Sequence, residues 1–93
     1  MPRPKERRAV RFDPRVTYFK PQGVPLRFLE SVELSLEEAE ALRLRHLERL
    51  NQTTSAKAMR TSQSTYQRIL QAAYGKLADA VIRGKAIRLL RTP

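Results

Sequence analysis

The stretch QTTSAKAMRTSQSTYQRIL, residues 52–70, decides how the rest of this 93-residue chain is read. Its first part predicts a short helix over Thr53 to Met59. The propensity there is mediocre, because Thr53, Thr54 and Ser55 compete with the backbone for hydrogen bonds, so packing of Ala56 and Met59 must hold it. Ser62 is a natural N-cap for a second helix, which runs from about Gln63 to Val81 or Ile82. Along it Tyr66, Ile69, Leu70, Ala73, Leu77, Ala80 and Val81 recur at three- and four-residue steps and fall on one face. A short helix, a four-residue turn and a second helix opened by a capping serine make a helix-turn-helix layout, spanning roughly Gln52 to Val81. The spacing has a physical basis. Ala56 is small where the second helix crosses close above it, and Met59 and Ile69 fill the space between the two.

Outward from this centre the elements weaken. Gly84 stops the long helix, with Arg83 and Lys85 near its negative end. Residues Ala86 to Leu90 read as a short strand, expected to pair with Val10 to Phe12 and so bring both termini together. Upstream, Ser35-Leu36-Glu37-Glu38 has the form of a capping box and opens another helix. Leu36, Ala39, Leu42, Leu47 and Leu50 form its apolar stripe, and Glu37, Glu38 and Glu40 in the first turn of this expected surface helix suit the positive end of its dipole. Pro2, Pro4, Pro14, Pro21 and Pro25 forbid a continuous helix in the first 27 residues. Two alternating pieces between them, Ala9 to Phe12 and Arg15 to Phe19, are short extended segments, and Pro21-Gln22-Gly23 is a turn. Residues 1–8 are expected to be a flexible basic arm and residues 9–93 a single domain, its core helices between about 35 and 83. The expected fold is mainly α, a helix-turn-helix bundle of three to four helices with short extended N- and C-terminal segments.

Charge narrows the function. The net charge is +10, unevenly spread: +6 over residues 1–27, −3 over 28–50 and +7 over 51–93. Two cationic segments around an acidic one suit a polyanion, and nucleic acid is the default polyanion. The apolar faces look like core faces, and no apolar run approaches the length of a membrane span, so a membrane partner is not expected. Neither is a signal peptide, since no apolar core follows Arg3, Lys5, Arg7 and Arg8; the expected location is the cytoplasm. With no cysteine and a single histidine, His46, disulfides and thiolate chemistry are excluded, and neither a metal site nor any other cofactor is expected. No Gly-rich phosphate loop is present and no histidine is available to partner a nucleophile, so an enzyme is the least favoured class.

The long helix carries the chemistry. On a helical projection centred on Tyr66, the side chains of Ser64, Gln67, Arg68 and Gln71 fall opposite or beside the apolar face, with Gln63 at the margin of the first turn. These suit base-edge reading in a major groove: glutamine bonds bidentately to adenine, arginine to guanine, and serine donates or accepts. Lys57, Arg60, Ser62 and Thr65 are expected near phosphates, where contacts fix register without reading sequence. Arg3, Lys5, Arg7 and Arg8 form the basic arm. The helix N-terminus adds its own N–H groups. The expected partner is double-stranded DNA, bound by a monomer or by a homodimer that uses the aromatic N-terminal segment or the C-terminal strand.

A longer pattern resembles a known family. It comprises Pro2-Arg3-Pro4, Tyr18-Phe19-Lys20-Pro21 with Gly23 and Pro25-Leu26, and Glu38-Ala39-Glu40-Ala41-Leu42-Arg43-Leu44. It continues through Gln52, Ala56, Met59, Ser62, Thr65 and Gln67-Arg68-Ile69-Leu70 to Gly84-Lys85-Ala86. Across nearly the whole chain this resembles a small prokaryotic family of unknown function, described as predicted DNA-binding proteins. Their helix-turn-helix is similar to region four of bacterial sigma factors. The resemblance implies a winged-helix-like or sigma-region-four-like α domain and a role in transcription regulation. One departure stands out: the family commonly has glycine then an apolar residue in the turn, where this chain has Arg60 and Thr61. A left-handed backbone there costs an arginine on the order of 1 kcal/mol.

Two other readings stay open. High charge and small size equally suit an RNA- or ribosome-associated protein, though Tyr18 and Phe19 are the only adjacent aromatic pair to offer for stacking. A module binding RNA polymerase would use the acidic segment, through Glu30, Glu33, Glu37 and Glu40.

Overall fold

A computed structural model describes residues 8–91 of the chain. The fold is mainly α: three helices packed with a three-stranded sheet. In chain order these are β1 (Tyr18–Phe19), β2 (Ser31–Leu34), α1 (Leu36–Leu42), α2 (Gln52–Ala58), α3 (Gln63–Arg83) and β3 (Ala86–Leu89). A single 3-10 turn, Leu26–Phe28, lies between the first two strands.

Local signals explain the helix ends. The Ser35 hydroxyl accepts from the Glu38 amide at 3.1 Å while the Glu38 carboxylate accepts from the Ser35 amide at 2.8 Å, completing the capping box at α1. Asn51 caps α2 through Oδ1, 2.8 Å from the Thr54 amide, and so starts that helix at Gln52, one residue ahead of expectation. Ser62 caps α3, and Gly84 ends it in the left-handed conformation that glycine adopts without strain, at φ 67°.

α1 does not continue as an α-helix to Leu50. It passes into a π-helical turn, Arg43–Leu47, in which the Glu48 amide bonds back to the carbonyl of Arg43. The wider turn slips the helical phase. Leu44 therefore swings into the core, and Leu47, expected on the apolar stripe, stands 76% exposed. Arg49, in the left-handed region at φ 59°, then redirects the chain toward α2.

The core has two parts that share Leu42. Ala41, Leu44, Ala56, Met59, Tyr66 and Leu70 fill the space between α1, α2 and α3. Leu34, Ala39, Ala73 and Leu89 join α1 and α3 to the sheet, with Phe12 and Ile87 packed against them. Because α1 lies between the two, it is not a surface helix: Glu38 and Glu40 are both buried. Tyr66 sits at the crossing, fully buried, and its hydroxyl donates to the Ala41 carbonyl at 2.9 Å.

The sheet corrects the expected strand pairing. β3 is central, antiparallel to β1 (Tyr18 opposite Arg88) and parallel to β2 (Val32 opposite Ile87, Leu34 opposite Leu89). Val10 to Phe12 is not its partner and forms no strand. That segment instead runs along α1, where Glu40 accepts from the Arg11 amide at 3.0 Å and the Met59 carbonyl accepts from the Ala9 amide at 3.1 Å. The buried carboxylate captures amides that a strand would otherwise use.

Candidate functional site

α2, the turn over residues 59–62 and the amino half of α3 form one surface with a distinct electrostatic character. Residues 52–78 contain no Asp or Glu. Of their four basic residues, Lys76 is tied to Glu38 at 2.8 Å. Lys57, Arg60 and Arg68 are exposed, and among the described residues none of the three has an acidic partner.

Each predicted residue has a definite place on this surface. Gln63, Ser64, Gln67, Arg68 and Gln71 are all exposed on α3, and no side chain of Gln63, Gln67, Arg68 or Gln71 bonds to another described residue. The packing that leaves them outward is on the other side of the helix, where Tyr66, Leu70 and Ala73 are buried. The Ser64 hydroxyl lies 3.3 Å from that of Ser62. Ser62 and Thr65 serve the cap itself: the Ser62 hydroxyl accepts from the Thr65 amide at 3.1 Å and donates to the Thr65 hydroxyl at 2.9 Å. Arg60 occupies the left-handed region at φ 55°, the conformation for which the turn position favours glycine. Its strained backbone sets a cation at the junction of the two helices. Gln52 Nε2 donates weakly across that junction to the Gln63 carbonyl, at 3.5 Å.

The basic arm divides. Arg3, Lys5 and Arg7 lie outside the described residues. Arg8, expected to be free within the arm, is half-buried and held by two partners: Glu37 at 2.6 Å and the Thr61 hydroxyl at 3.3 Å. It ties the start of the chain to α1 and to the turn.

The carboxylates of α1 are engaged. Burial pushes the Glu40 carboxyl up, but the Arg43 guanidinium and the amides of Arg11 and Phe12 outweigh it and hold the group below its ordinary value of 4.5. Arg43 reaches Glu40 through two nitrogens, at 2.7 and 3.0 Å, and Glu48 through the third at 3.3 Å. At the far end of α3, a hydrogen bond from Lys85 holds the Asp79 carboxyl below its usual range, with Arg83 contributing. His46 bonds to the Tyr74 hydroxyl on the helix surface. Among the described residues no group of three or more His, Cys, Asp or Glu is placed to hold a metal ion, and no helix is long and apolar enough to cross a membrane.

The sequence reading missed the carboxyl half of this same helix. It placed Val81 on the core face, whereas Val81 is 72% exposed and Ile82 81% exposed. The helical phase favours Ala80 for burial, and Val81 lies a further 100° round. A projection restricted to exposed positions would have found Ala72, Gly75, Ala78 and Ile82 together. Gly75 is unexplained by the fold: nothing lies within 4 Å of where its Cβ would be, and mid-helix glycine costs about 0.5–1 kcal/mol relative to alanine.

Comparison with known proteins gives the family. Over 89 residues the chain is 53% identical to a UPF0251 protein of Caldanaerobacter subterraneus subsp. tengcongensis, covering 96% of this chain and 75% of that protein. It is 51% identical over 89 residues to a UPF0251 protein of Thermoanaerobacter pseudethanolicus, with the same coverage. A UPF0251 protein of Moorella thermoacetica is 54% identical over 89 residues, 96% of this chain and 60% of its own length. No solved structure matches. The family model described as protein of unknown function DUF134 matches residues 1–91, and the chain belongs to that family.

Proposed function

We propose that the protein is a sequence-specific binder of double-stranded DNA and a non-catalytic regulator of transcription. α2 and α3 act in it as a helix-turn-helix of the sigma-region-four kind. The amino half of α3 enters the major groove. Gln63, Ser64, Gln67, Arg68 and Gln71 meet base edges, while Lys57 and Arg60 meet phosphates on either side of the turn. Ser62 and Thr65 present the capped helix end to a phosphate oxygen. Arg8 has no part in a free arm, so its contribution is to brace the turn through Thr61.

One observation carries this reading. Gln63, Gln67, Arg68 and Gln71 project from one helix face with no side-chain partner among the described residues, beside two further unpaired cations, Lys57 and Arg60, in a stretch free of acids. A solvated helix face of ordinary composition mixes both signs of charge. The polymerase-binding alternative through the acidic segment has less support, since Glu37 is paired with Arg8 and Glu40 is buried against Arg43.

The test is a titration into random-sequence duplex DNA over a range of salt concentrations. Wild type should bind with an affinity that falls steeply as salt rises. The double variant Gln67→Ala, Arg68→Ala should keep salt-dependent binding to random duplex and lose enrichment of a preferred site in a selection experiment. Wild type that ignores duplex at low salt removes the proposal, and binding to structured RNA in its place would favour the ribosome-associated reading.

A further inference from the structure

Three helix ends close on a residue in the left-handed conformation, and the chain fills the three places differently. After the π-helical turn it is Arg49 at φ 59°, after α2 Arg60 at φ 55°, and after α3 Gly84 at φ 67°. The same kind of closure makes each place. The next amide, of Leu50, Thr61 or Lys85, turns back to a helical carbonyl, of Leu44, Ala56 or Ala80, at 3.0, 3.0 and 2.9 Å. Glycine meets that demand without strain, whereas the Cβ of an arginine crowds the backbone. Space does not decide between them, since nothing lies within 4 Å of where a Cβ on Gly84 would be.

The helix dipole does not decide it either. A cation suits the negative end of a helix. The end of α3 has that benefit from Arg83 and Lys85, one on each side of an unstrained glycine, and Asp79 holds both at 3.1 and 2.9 Å. Arg49 and Arg60 take the strained position itself, are exposed, and have no acidic partner among the described residues. Both also border the reading surface. Arg60 precedes Gln63 by three residues and Arg49 precedes Gln52 by three, and Gln52 Nε2 reaches the Gln63 carbonyl at 3.5 Å. Gly84 lies at the other end of the 21-residue α3, roughly 30 Å away.

We propose that Arg49 is a further contact to the phosphate backbone of DNA, the counterpart of Arg60 at the opposite end of α2. This role rests on the duplex binding proposed above and extends the interface upstream of the helix-turn-helix. The seven residues of α2 hold the two arginines roughly 10 Å or more apart along its axis, so each meets its own phosphate. A left-handed arginine persists where the work of its side chain offsets the strain of its backbone. Phosphate contacts fix register without reading sequence, so Arg49 strengthens binding to every duplex alike.

Salt titrations on random-sequence duplex, with urea unfolding of the same proteins, test this role. Arg49→Gln removes the cation and keeps the Cβ. It should lower the salt slope by about one unit, weaken binding alike on all sequences and leave the preferred site in a selection experiment unchanged. Arg49→Lys retains the charge and should hold the wild-type slope. Arg49→Gly should lose the same unit while its urea midpoint rises, and combined with Arg60→Gly it should lose about two. A wild type that binds duplex with a slope that Arg49→Gln leaves unchanged overturns the role of Arg49 and spares the function above. So does an Arg49→Lys as defective as Arg49→Gln, because the duplex then does not meet the charge. A wild type that ignores duplex at low salt removes both.

Discussion

The two halves of α3 share one buried face and differ on the other. Inward, Tyr66, Leu70, Ala73 and Ala80 make a continuous buried line. Outward, the amino half carries Gln63, Ser64, Gln67, Arg68 and Gln71, and the carboxyl half carries Ala72, Gly75, Ala78, Val81 and Ile82. The inward pattern is set by packing and says nothing of function. The outward contrast has no packing cause, so it is where function is to be sought. Polar side chains without partners among the described residues suit a wet, patterned surface such as a groove in DNA.

Removing the shared support should have the largest effect on both halves. Tyr66→Ala deletes a fully buried ring and strands the Ala41 carbonyl, and should destabilise the fold by about 3–5 kcal/mol in urea unfolding. Tyr66→Phe should recover all but about 1 kcal/mol, because only the hydrogen bond is lost. If Tyr66→Ala leaves stability unchanged, the two outward faces do not rest on a common core.

A smaller effect, and one dependent on pH, should follow from Glu40. Its folded carboxyl is held below 4.5, so its stabilising contribution is fully present above that ordinary value and fades as pH falls through the lowered one. Glu40→Gln should cost about 2 kcal/mol at neutral pH, and its difference from wild type should shrink in acid. A gap that stays constant down to the acid limit would mean the carboxylate does not hold the segment at Arg11 in place. Because that segment leads to Arg8 and the turn, Glu40→Gln should loosen the amino half while sparing the carboxyl half. Hydrogen exchange can distinguish the two.

The smallest effects come from two glycine exchanges of opposite sense. Arg60→Gly should relieve the left-handed strain at φ 55° and raise stability by about 0.5–1 kcal/mol, yet lower the salt slope of DNA binding by about one phosphate contact. Gly75→Ala should also stabilise the monomer, by about 0.5–1 kcal/mol, because the helix gains a better former with open space around it. It should leave the salt slope of DNA binding unchanged. A salt slope that falls with Gly75→Ala and not with Arg60→Gly would contradict the role given to the amino half.

What the sequence made legible follows how local each signal is. Ser35 with Glu38, Ser62 with Thr65, and Gly84 act within one turn, so the starts of α1 and α3 and the end of α3 could be read directly. The outward polar set of α3 follows from periodicity alone. The partner of β3 could not be read this way, because strand pairing is a choice among distant segments. Ser31-Val32-Glu33-Leu34 does alternate, but four residues before a strong capping box are easily passed over. The π-helical turn at Arg43 to Leu47 leaves no residue signature, so the slip that exposes Leu47 and buries Leu44 was hidden. Glu40 illustrates the same limit. Three closely spaced glutamates read as a solvated face, and only the path of a segment nearly thirty residues away makes one of them a buried anchor.

The most direct test of the division along α3 is amide chemical-shift mapping of the labelled chain on adding duplex DNA. The amides of Ser64, Gln67, Arg68 and Gln71 should move, with Arg60 beside them, while those of Gly75, Ala78 and Ile82 stay in place. Shifts confined to the carboxyl half or to the sheet, or a duplex that moves nothing, would contradict it.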